Sequence, residues 1–394
     1  MVKKVIGFIM IVFLFSPLLM YLVWFFAPER KLNILIFDKT VLDTNAQEHR
    51  SISWILTYEK YAHTLTGLYQ HDSNYYGLFP NDSGKYKIKD FGNYSEKSLD
   101  SLANLYDIAY YTDLYGVYKG EWYNRYPNVA PQDLAMDNSM EHTDKIYGGM
   151  TFKELLFLQK MKLMGKFVIA EFNVIATPTP PAVRREFEKE FNMTWTGWIG
   201  RYYETLDTLK NKELPRWLKT NYLAQHNNSW PFNQSGIVFV NDNERIEILE
   251  NDTHLQVEVP VIHTNPANMS KYDLPAEMKY SFWFEVIRTG SQNNIVSTYK
   301  ITANDHGRRL LKRYDIPETF PAIIEHDSTD YRFIYFAGDF CDNSIGMKSA
   351  KFKWINHFNR FAYRRSTEER VSFFWDFYRP MIDKILLKYS TPKQ

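Results

Sequence analysis

The sequence predicts an α/β protein with a doubly wound, mostly parallel sheet, an antiparallel β addition, C-terminal helices and one preceding transmembrane helix. Three observations lead to this prediction. Residues 5–27 carry no charged side chain and are long enough to cross a bilayer as a helix. Apolar runs such as residues 32–37 are typical of strands that are buried on both faces. Helical stretches separate these runs, as the crossovers of a parallel sheet require.

The first 31 residues are predicted to form an uncleaved signal anchor. Lys3 and Lys4 precede the apolar stretch, which runs from Val5 to Ala27. A cleaved signal peptide is the alternative, but its apolar region is normally only about 7–15 residues long and ends at small residues. Positive charge before the span favours a cytoplasmic N-terminus. We therefore expect a single-pass cell-membrane protein whose main domain is extracytoplasmic.

Three β-α units are predicted in the first half of the chain. Their strands are predicted at residues 32–37, 108–111 and 166–173. Their helices are predicted near residues 47–58, from residue 95, over residues 151–165 and over residues 177–191. Thr151 and Glu154 have the spacing of a capping box, which marks the start of the third of these helices.

The pattern changes after Trp195, where shorter strand-like runs follow one another. Strands are predicted at residues 236–240, 246–249, 255–262, 280–287, 295–301, 322–325 and 333–336, and helices at residues 214–225, 350–363 and 367–389. No linker interrupts the chain, so we predict one composite domain. The predicted divisions are an anchor (1–31) and a domain (32–394) made of a parallel core (32–200), an antiparallel addition (201–345) and C-terminal helices (346–394).

Composition restricts the partners and the chemistry. The net charge of +1 gives no long-range field for binding nucleic acid. Cys341 is the only cysteine, which excludes an intramolecular disulfide and a thiolate zinc site and is compatible with a bacterial envelope protein. The sequence contains no zinc-type histidine motif, nucleophilic serine elbow or phosphate-binding loop. We predict no metal and no cofactor.

Two stretches resemble the class I glutamine amidotransferase-like superfamily. Residues 165–172 (GKFVIAEF) are similar to the run of helix, glycine and strand that leads into its nucleophile elbow. Residues 320–325 and 331–339 are similar to the late hairpin of its non-amidotransferase branches, such as trehalose-utilisation-type proteins and the amidotransferase-like domain of some β-galactosidases. The resemblance spans residues 32–342 in topology and implies a flavodoxin-like sheet.

The catalytic cysteine of the superfamily is missing. The corresponding position lies near Phe172, Cys341 follows a different strand, and no His-x-Glu motif occurs. Because glutamine hydrolysis through a thiolate needs an activated cysteine, we expect no amidotransferase activity.

Three carboxylates follow the three predicted parallel strands. Asp38, Asp113 and Glu171 each stand at or just beyond a strand's carboxyl end, where open α/β sheets bind their ligands. Glu171 could act as acid or base with Asp38 or Asp113 as its partner, or the group could bind a divalent cation. The alternative is that these side chains only cap helices and turns.

Further side chains near these strand ends and in an aromatic cluster are candidate ligand contacts. Aromatic faces suit sugar stacking, and an arginine could bind a carboxylate or phosphate, although both could also serve packing alone. The ligand-binding candidates are Lys39, Tyr111, Asp113, Tyr115, Glu171, Asn173, Trp198 and Arg201.

We therefore expect a ligand-binding or scaffold protein of the bacterial cell envelope, whose partner is a cell-surface glycan or an envelope protein. The alternative is a carboxylate-dependent hydrolase that acts on cell-surface carbohydrate. The hydrolase needs the carboxyl groups of Asp38, Asp113 and Glu171 within about 5–10 Å of one another in an open crevice. Carboxyl groups occupied as caps outside any crevice would argue against it.

Overall fold

A ten-stranded mixed sheet forms the centre of the structure, a computed structural model that describes residues 15–131, 144–357 and 370–390. The strands are β1 (Arg30–Lys31), β2 (Ile34–Asp38), β3 (Tyr61–His63), β4 (Gly67–Leu68), β5 (Tyr76–Pro80), β6 (Tyr86–Lys89), β7 (Ile108–Tyr111), β8 (Val117–Tyr118), β9 (Lys145–Tyr147), β10 (Phe167–Glu171), β11 (Met193–Tyr203), β12 (Gly236–Asn241), β13 (Ile246–Glu250), β14 (Val261–Thr264), β15 (Glu277–Lys279), β16 (Phe284–Thr289), β17 (Asn294–Lys300), β18 (Thr319–Asp327) and β19 (Arg332–Phe336).

The helices lie between these strands and at both ends of the described chain. They are α1 (residues 15–26), α2 (Arg50–Tyr58), α3 (Glu96–Leu105), α4 (Lys119–Arg125), α5 (Phe152–Leu163), α6 (Pro181–Phe191), α7 (Arg216–Gln225), α8 (Pro266–Tyr272), α9 (Asp305–Arg313) and α10, which runs through Arg370–Phe373, a π-helical turn at Phe374–Tyr378, and Arg379–Ser390. Residues 358–369, which fall in the predicted C-terminal helices, lie outside the described residues.

The large sheet is mixed rather than mostly parallel, which corrects the predicted fold class. Its order is β15-β14-β17-β18-β19-β10-β7-β2-β5-β6. Strands β19, β10, β7, β2 and β5 are parallel neighbours. The strands outside this group pair in antiparallel fashion. The late hairpin strands extend the same sheet, because β19 pairs with β10 on one side and with β18 on the other.

The parallel centre follows from its apolar strands. Every residue of β2, β7 and β10 is buried, as strands with helices on both faces require, and the predicted strands at these places are confirmed. The capping box at the start of α5 is confirmed as well: Thr151 accepts a hydrogen bond from the Glu154 amide, and the Glu154 carboxylate accepts one from the Thr151 amide.

A second, four-stranded sheet has the order β13-β12-β11-β16. Its longest strand, β11, contains the aromatic cluster that follows Trp195 and has an irregularity between Trp195 and Ile199. Helix α7 packs against β13 and covers a separate small core that includes Leu218 and Tyr222. The aromatic cluster that supplied the candidate ligand contacts Trp198 and Arg201 is therefore part of a strand.

The N-terminal segment packs in part on the folded body. Met20 and Trp24 of α1 are each 6% exposed, and Trp24 Nε1 donates to the carbonyl of Thr57 at 2.9 Å. None of the helices in residues 15–131, 144–357 and 370–390 combines the length and the apolar character needed to cross a membrane. This finding corrects the predicted transmembrane anchor and the predicted single-pass membrane location; residues 5–14 of the predicted span lie outside the described ranges.

Candidate functional site

Acidic side chains gather where the parallel strands end. Asp38 ends β2, Asp113 follows β7, and Glu171 ends β10. Because β19 is parallel to β10, Asp339 and Asp342 reach the same edge of the sheet. Each of these five residues, which we call the acidic row, is at most 9% exposed.

Both carboxylate oxygens of Asp38 have a partner within the protein. Its Oδ1 accepts a hydrogen bond from the Thr40 amide at 2.9 Å, and its Oδ2 lies 2.6 Å from His49 Nδ1. The other ring nitrogen of His49 lies 2.9 Å from the carbonyl of His71. These contacts join β2 to the short 3-10 helix Gln47–His49. Asp38 therefore positions a turn and a histidine ring.

Asp113 forms the turn after β7. Its Oδ1 accepts a hydrogen bond from the Tyr115 amide at 2.6 Å, and its carbonyl accepts one from the Lys39 amide at 2.8 Å. Burial, followed by the nearby charge of Asp38, raises the pKa of the Asp113 carboxyl group to about 8. Tyr115 lies beside Asp113, and its ring contacts that of Tyr118 at a centroid distance of 4.9 Å.

Glu171 connects β10 to the chain after β19. Its Oε2 accepts a hydrogen bond from the Tyr110 hydroxyl at 2.6 Å, and its Oε1 accepts one from the Cys341 amide at 2.5 Å. Burial outweighs these hydrogen bonds and raises the pKa of Glu171 to about 8. Glu171 is only 2% exposed, and both of its carboxyl oxygens accept hydrogen bonds from buried groups of the protein.

The remaining candidates near the strand ends have internal partners. Lys39 Nζ lies 2.8 Å from the Glu154 carboxylate and donates to the Gly149 carbonyl at 2.7 Å. The Tyr111 hydroxyl donates to the Glu154 carbonyl at 3.0 Å. Asn173 has a left-handed backbone (φ 63°), and its amide donates to Glu285 Oε1 at 3.0 Å.

Trp198 and Arg201 lie on β11 of the second sheet. The Trp198 ring packs against Phe239 and Tyr314. Arg201 forms an ion pair with Glu213 at 2.6 Å, and its guanidinium lies 5.7 Å from the ring centroid of Trp283. The Trp283 carbonyl accepts a hydrogen bond from the Asp339 amide at 3.0 Å. Trp283 therefore contacts both Arg201, through its ring, and Asp339 of the acidic row, through its backbone.

Sequence reasoning missed the tightest acidic group at this edge. One ligand atom each from Glu48, Asp339 and Asp342 lies within 4.8 Å of the other two; we call these residues the carboxylate triad. Glu48 is half-buried. Burial and the charges of Asp342 and Asp339 hold its pKa well above the ordinary value. The available signal was the acidic pair in Gly-Asp-Phe-Cys-Asp directly after β19.

The triad has the chemistry of a site for a hard cation. All three groups offer carboxylate oxygens, which Mg²⁺, Mn²⁺ and Ca²⁺ prefer. Ca²⁺ accepts ligands at about 2.3–2.6 Å, so that two oxygens on one ion can be about 5 Å apart. The half-buried Trp283 lies beside Asp339, and its ring stacks on Phe172 at a centroid distance of 6.5 Å. At this edge, a half-buried aromatic residue therefore neighbours the carboxylate triad in the fold.

Comparison with solved structures gives weak likenesses. The chain is 11% identical to a ThuA-like protein of Bacteroides uniformis over 83% of this chain and 90% of that one, with a TM-score of 0.33. A ThuA-like protein of Parabacteroides merdae gives the same identity and TM-score over 79% of each chain. Agd3, described as a novel carbohydrate deacetylase, is 8% identical over 83% of this chain and 32% of that one, with a TM-score of 0.32.

No family model matches the sequence, and no curated protein matches it. Two of these structures are ThuA-like, the trehalose-utilisation branch named in the sequence resemblance. Likenesses of this size carry no inference about activity, so membership of the superfamily stays a resemblance. Function is inferred from the side chains of the site.

Proposed function

We propose that the protein binds a polyhydroxylated, carbohydrate-type ligand at the carboxyl edge of its large sheet, through a divalent cation held by the carboxylate triad. The proposal rests on one observation: one carboxylate oxygen each of Glu48, Asp339 and Asp342 lies within 4.8 Å of the other two. These residues come from two separate segments of the chain, so the fold itself brings them together.

Charge supports a cation at this place. Like charges that are close together in a partly buried site raise one another's pKa unless a proton or a cation compensates them. Asp38 and Asp113 add their charges to those that raise the pKa of Glu48. A divalent ion would relieve this repulsion and would favour the ionised form of Glu48.

A hydroxyl-rich ligand suits the coordination that remains. Ca²⁺ takes about six to eight oxygen ligands, so three carboxylates leave positions for neutral oxygens such as neighbouring sugar hydroxyls. The backbone carbonyl of the half-buried Trp283 accepts a hydrogen bond from the Asp339 amide, which brings an aromatic residue next to the triad in the chain fold. Aromatic walls with a few polar groups are typical of small-molecule sites. The cation and the ring together would orient one sugar unit.

The test is calorimetric titration of Ca²⁺, Mg²⁺ and Mn²⁺ into chelator-treated protein, combined with thermal unfolding. At a concentration 100 times its Kd, the cation should stabilise the folded state by about 2.7 kcal/mol. Glu48→Gln and Asp342→Asn should each abolish this gain. Asp315→Asn changes an exposed carboxylate outside the acidic row (86% exposed) and should leave the gain unchanged.

A saccharide panel then tests the ligand. A bound sugar should lose its affinity when EDTA removes the cation and regain it when Ca²⁺ is restored. The proposal fails if no cation binds, if Glu48→Gln binds cations as the wild type does, or if a saccharide binds equally well in EDTA.

A carboxylate-dependent hydrolase is the second candidate. Asp38, Asp113 and Glu171 are turned to internal hydrogen bonds, so the acid in such an enzyme would be Glu48. Burial and the neighbouring carboxylates raise the pKa of Glu48, which is the direction that a general acid needs. Turnover of nitrophenyl glycosides in EDTA, lost in Glu48→Gln, would favour this candidate over cation-dependent binding.

A further inference from the structure

A cavity outside the acidic row lies between the short strand β1, the turn after α2, and α10. It has a volume of about 390 Å³, and its lining includes Arg30 of β1, Glu59 after α2, and Arg379 and Asp383 of α10. We call it the basal pocket. Arg30 precedes β2, whose other end carries Asp38. No residue of the acidic row or of the carboxylate triad lines the basal pocket.

Two hydrogen-bond donors at this pocket have no acceptor within the described ranges. They are the buried atoms Trp375 Nε1 and Arg379 Nε. Trp375 is only 3% exposed, and buried donors in folded proteins are normally paired. The pocket wall therefore holds two buried N–H groups without an acceptor, together with one buried acceptor, Asp383 Oδ1, that has no donor within those ranges.

The guanidinium of Arg379 is held in place by aromatic rings. Its central carbon lies 5.2 Å from the ring centroid of Tyr58 and 5.5 Å from that of Trp375. One terminal nitrogen lies 3.3 Å from the Asp383 carboxylate. Rings at its faces leave the planar N–H edge of an arginine available for an oxyanion.

Four positively charged side chains, those of Arg30, Arg379, Lys384 and the adjacent Lys353, stand against three carboxylates at the pocket, those of Glu59, Asp273 and Asp383. Arg30 and Lys353 share the single carboxylate of Glu59, at 3.2 and 3.4 Å. Lys384 lines the pocket, is exposed, and forms no ion pair within the described ranges. Burial raises the pKa of Asp383 to about 7, which removes part of its negative charge near neutral pH.

We propose that the basal pocket binds a small organic anion whose carboxylate or phosphate group is held by Arg379 and Lys384, beside the indole N–H of Trp375. The cavity volume lies within the range of about 300–1,000 Å³ that is usual for small-molecule sites. This site is separate from the carboxylate triad and does not depend on it.

The test is calorimetric titration with citrate, glucose 6-phosphate, inorganic phosphate and uncharged glucose. At least one of the three anions should bind with a Kd below about 1 mM, and glucose should not compete with it. Comparing the affinity for citrate with the affinities for the two phosphates distinguishes a carboxylate site from a phosphate site. Absence of binding by all three anions, or competition by glucose as strong as that by glucose 6-phosphate, would overturn the proposal.

Variants then locate the binding. Lys384→Gln should weaken anion binding about tenfold, and Trp375→Phe, which removes only the N–H and part of the ring, should weaken it as well. Lys388→Gln is the matched control, one helical turn further on, because Lys388 pairs with Asp327 at 2.6 Å. If Trp375→Phe does not fold, the exposed Lys384 decides the matter. Equal affinity in Lys384→Gln and Lys388→Gln would overturn the proposal, whereas Glu48→Gln should bind the anion as the wild type does.

Discussion

The Tyr110 hydroxyl donates a hydrogen bond of 2.6 Å to the Glu171 carboxyl group, across the neighbouring parallel strands β7 and β10. The same hydroxyl lies 2.8 Å from that of Tyr378 on α10. This relationship links the sheet to the C-terminal helix through three buried polar side chains. Glu171, which the sequence analysis named as the acid or base candidate, is therefore an acceptor in a buried hydrogen-bond network.

Removing the Tyr110 hydroxyl should destabilise the protein. Tyr110→Phe leaves Glu171 Oε2 without this donor in a buried site, which typically costs about 1–3 kcal/mol. Urea unfolding measures the change in the free energy of unfolding. Tyr86→Phe, at a ring that is 42% exposed, is the matched control and should change little. A Tyr110→Phe protein as stable as the wild type would contradict this account of Glu171.

Stability should fall as the pH rises from 6.5 to 8. Burial raises the pKa of Glu171 and Asp113 to about 8 and that of Glu285 to about 7. These groups keep their protons in the folded state in a range where the unfolded chain has lost them, so unfolding releases protons. Each group can contribute a slope of up to about 1.4 kcal/mol per pH unit.

The lower limit of this pH range, 6.5, is chosen because of His71. Burial lowers the pKa of His71 to about 4, so below pH 6.5 that residue makes stability rise with pH and opposes the carboxyl groups. Urea unfolding at pH 6.5, 7.2 and 8.0 in EDTA isolates the carboxyl effect from cation binding. Glu285→Gln should flatten the slope, and a stability that rises with pH across this window would refute the prediction.

The buried ion pair of Lys39 and Glu154 should be costly to break. Both side chains are 1% exposed, and removing one partner leaves an uncompensated buried charge, which costs about 3–5 kcal/mol. Lys39→Met should show this loss in urea unfolding, and the double change Lys39→Met with Glu154→Leu should recover part of it. Lys388→Met, in a pair whose lysine is 50% exposed, should cost less than about 1 kcal/mol.

The central strands were predictable because their burial on both faces leaves a plain trace in the sequence. Strands β2, β7 and β10 consist almost wholly of apolar residues, and the caps of α5 are local in the chain. The mixed character of the sheet was not predictable in the same way. That β19 pairs with β10 depends on contacts between distant segments, and no local pattern encodes them.

The sequence predicted acidic side chains at the carboxyl edge of the sheet, but it did not predict the carboxylate triad. The rule that ligands bind at the carboxyl ends of parallel strands led to Asp38, Asp113 and Glu171, and the structure uses these carboxyl groups for turns and internal hydrogen bonds. Asp339 and Asp342 were missed because β19 was taken only as half of an antiparallel hairpin. The prediction of an N-terminal membrane span was wrong. An apolar helix that packs Met20 and Trp24 against the protein has the same sequence pattern as a membrane helix.

The most direct test of the carboxylate triad is anomalous diffraction from crystals grown with Mn²⁺, an ion that shares the preference of Ca²⁺ for oxygen ligands. The account predicts a manganese peak in contact with carboxylate oxygens of Glu48, Asp339 and Asp342, and no such peak in Glu48→Gln crystals. Density in which the three carboxyl groups bind only one another or protein donors, at a manganese concentration that saturates the protein in solution, would contradict it.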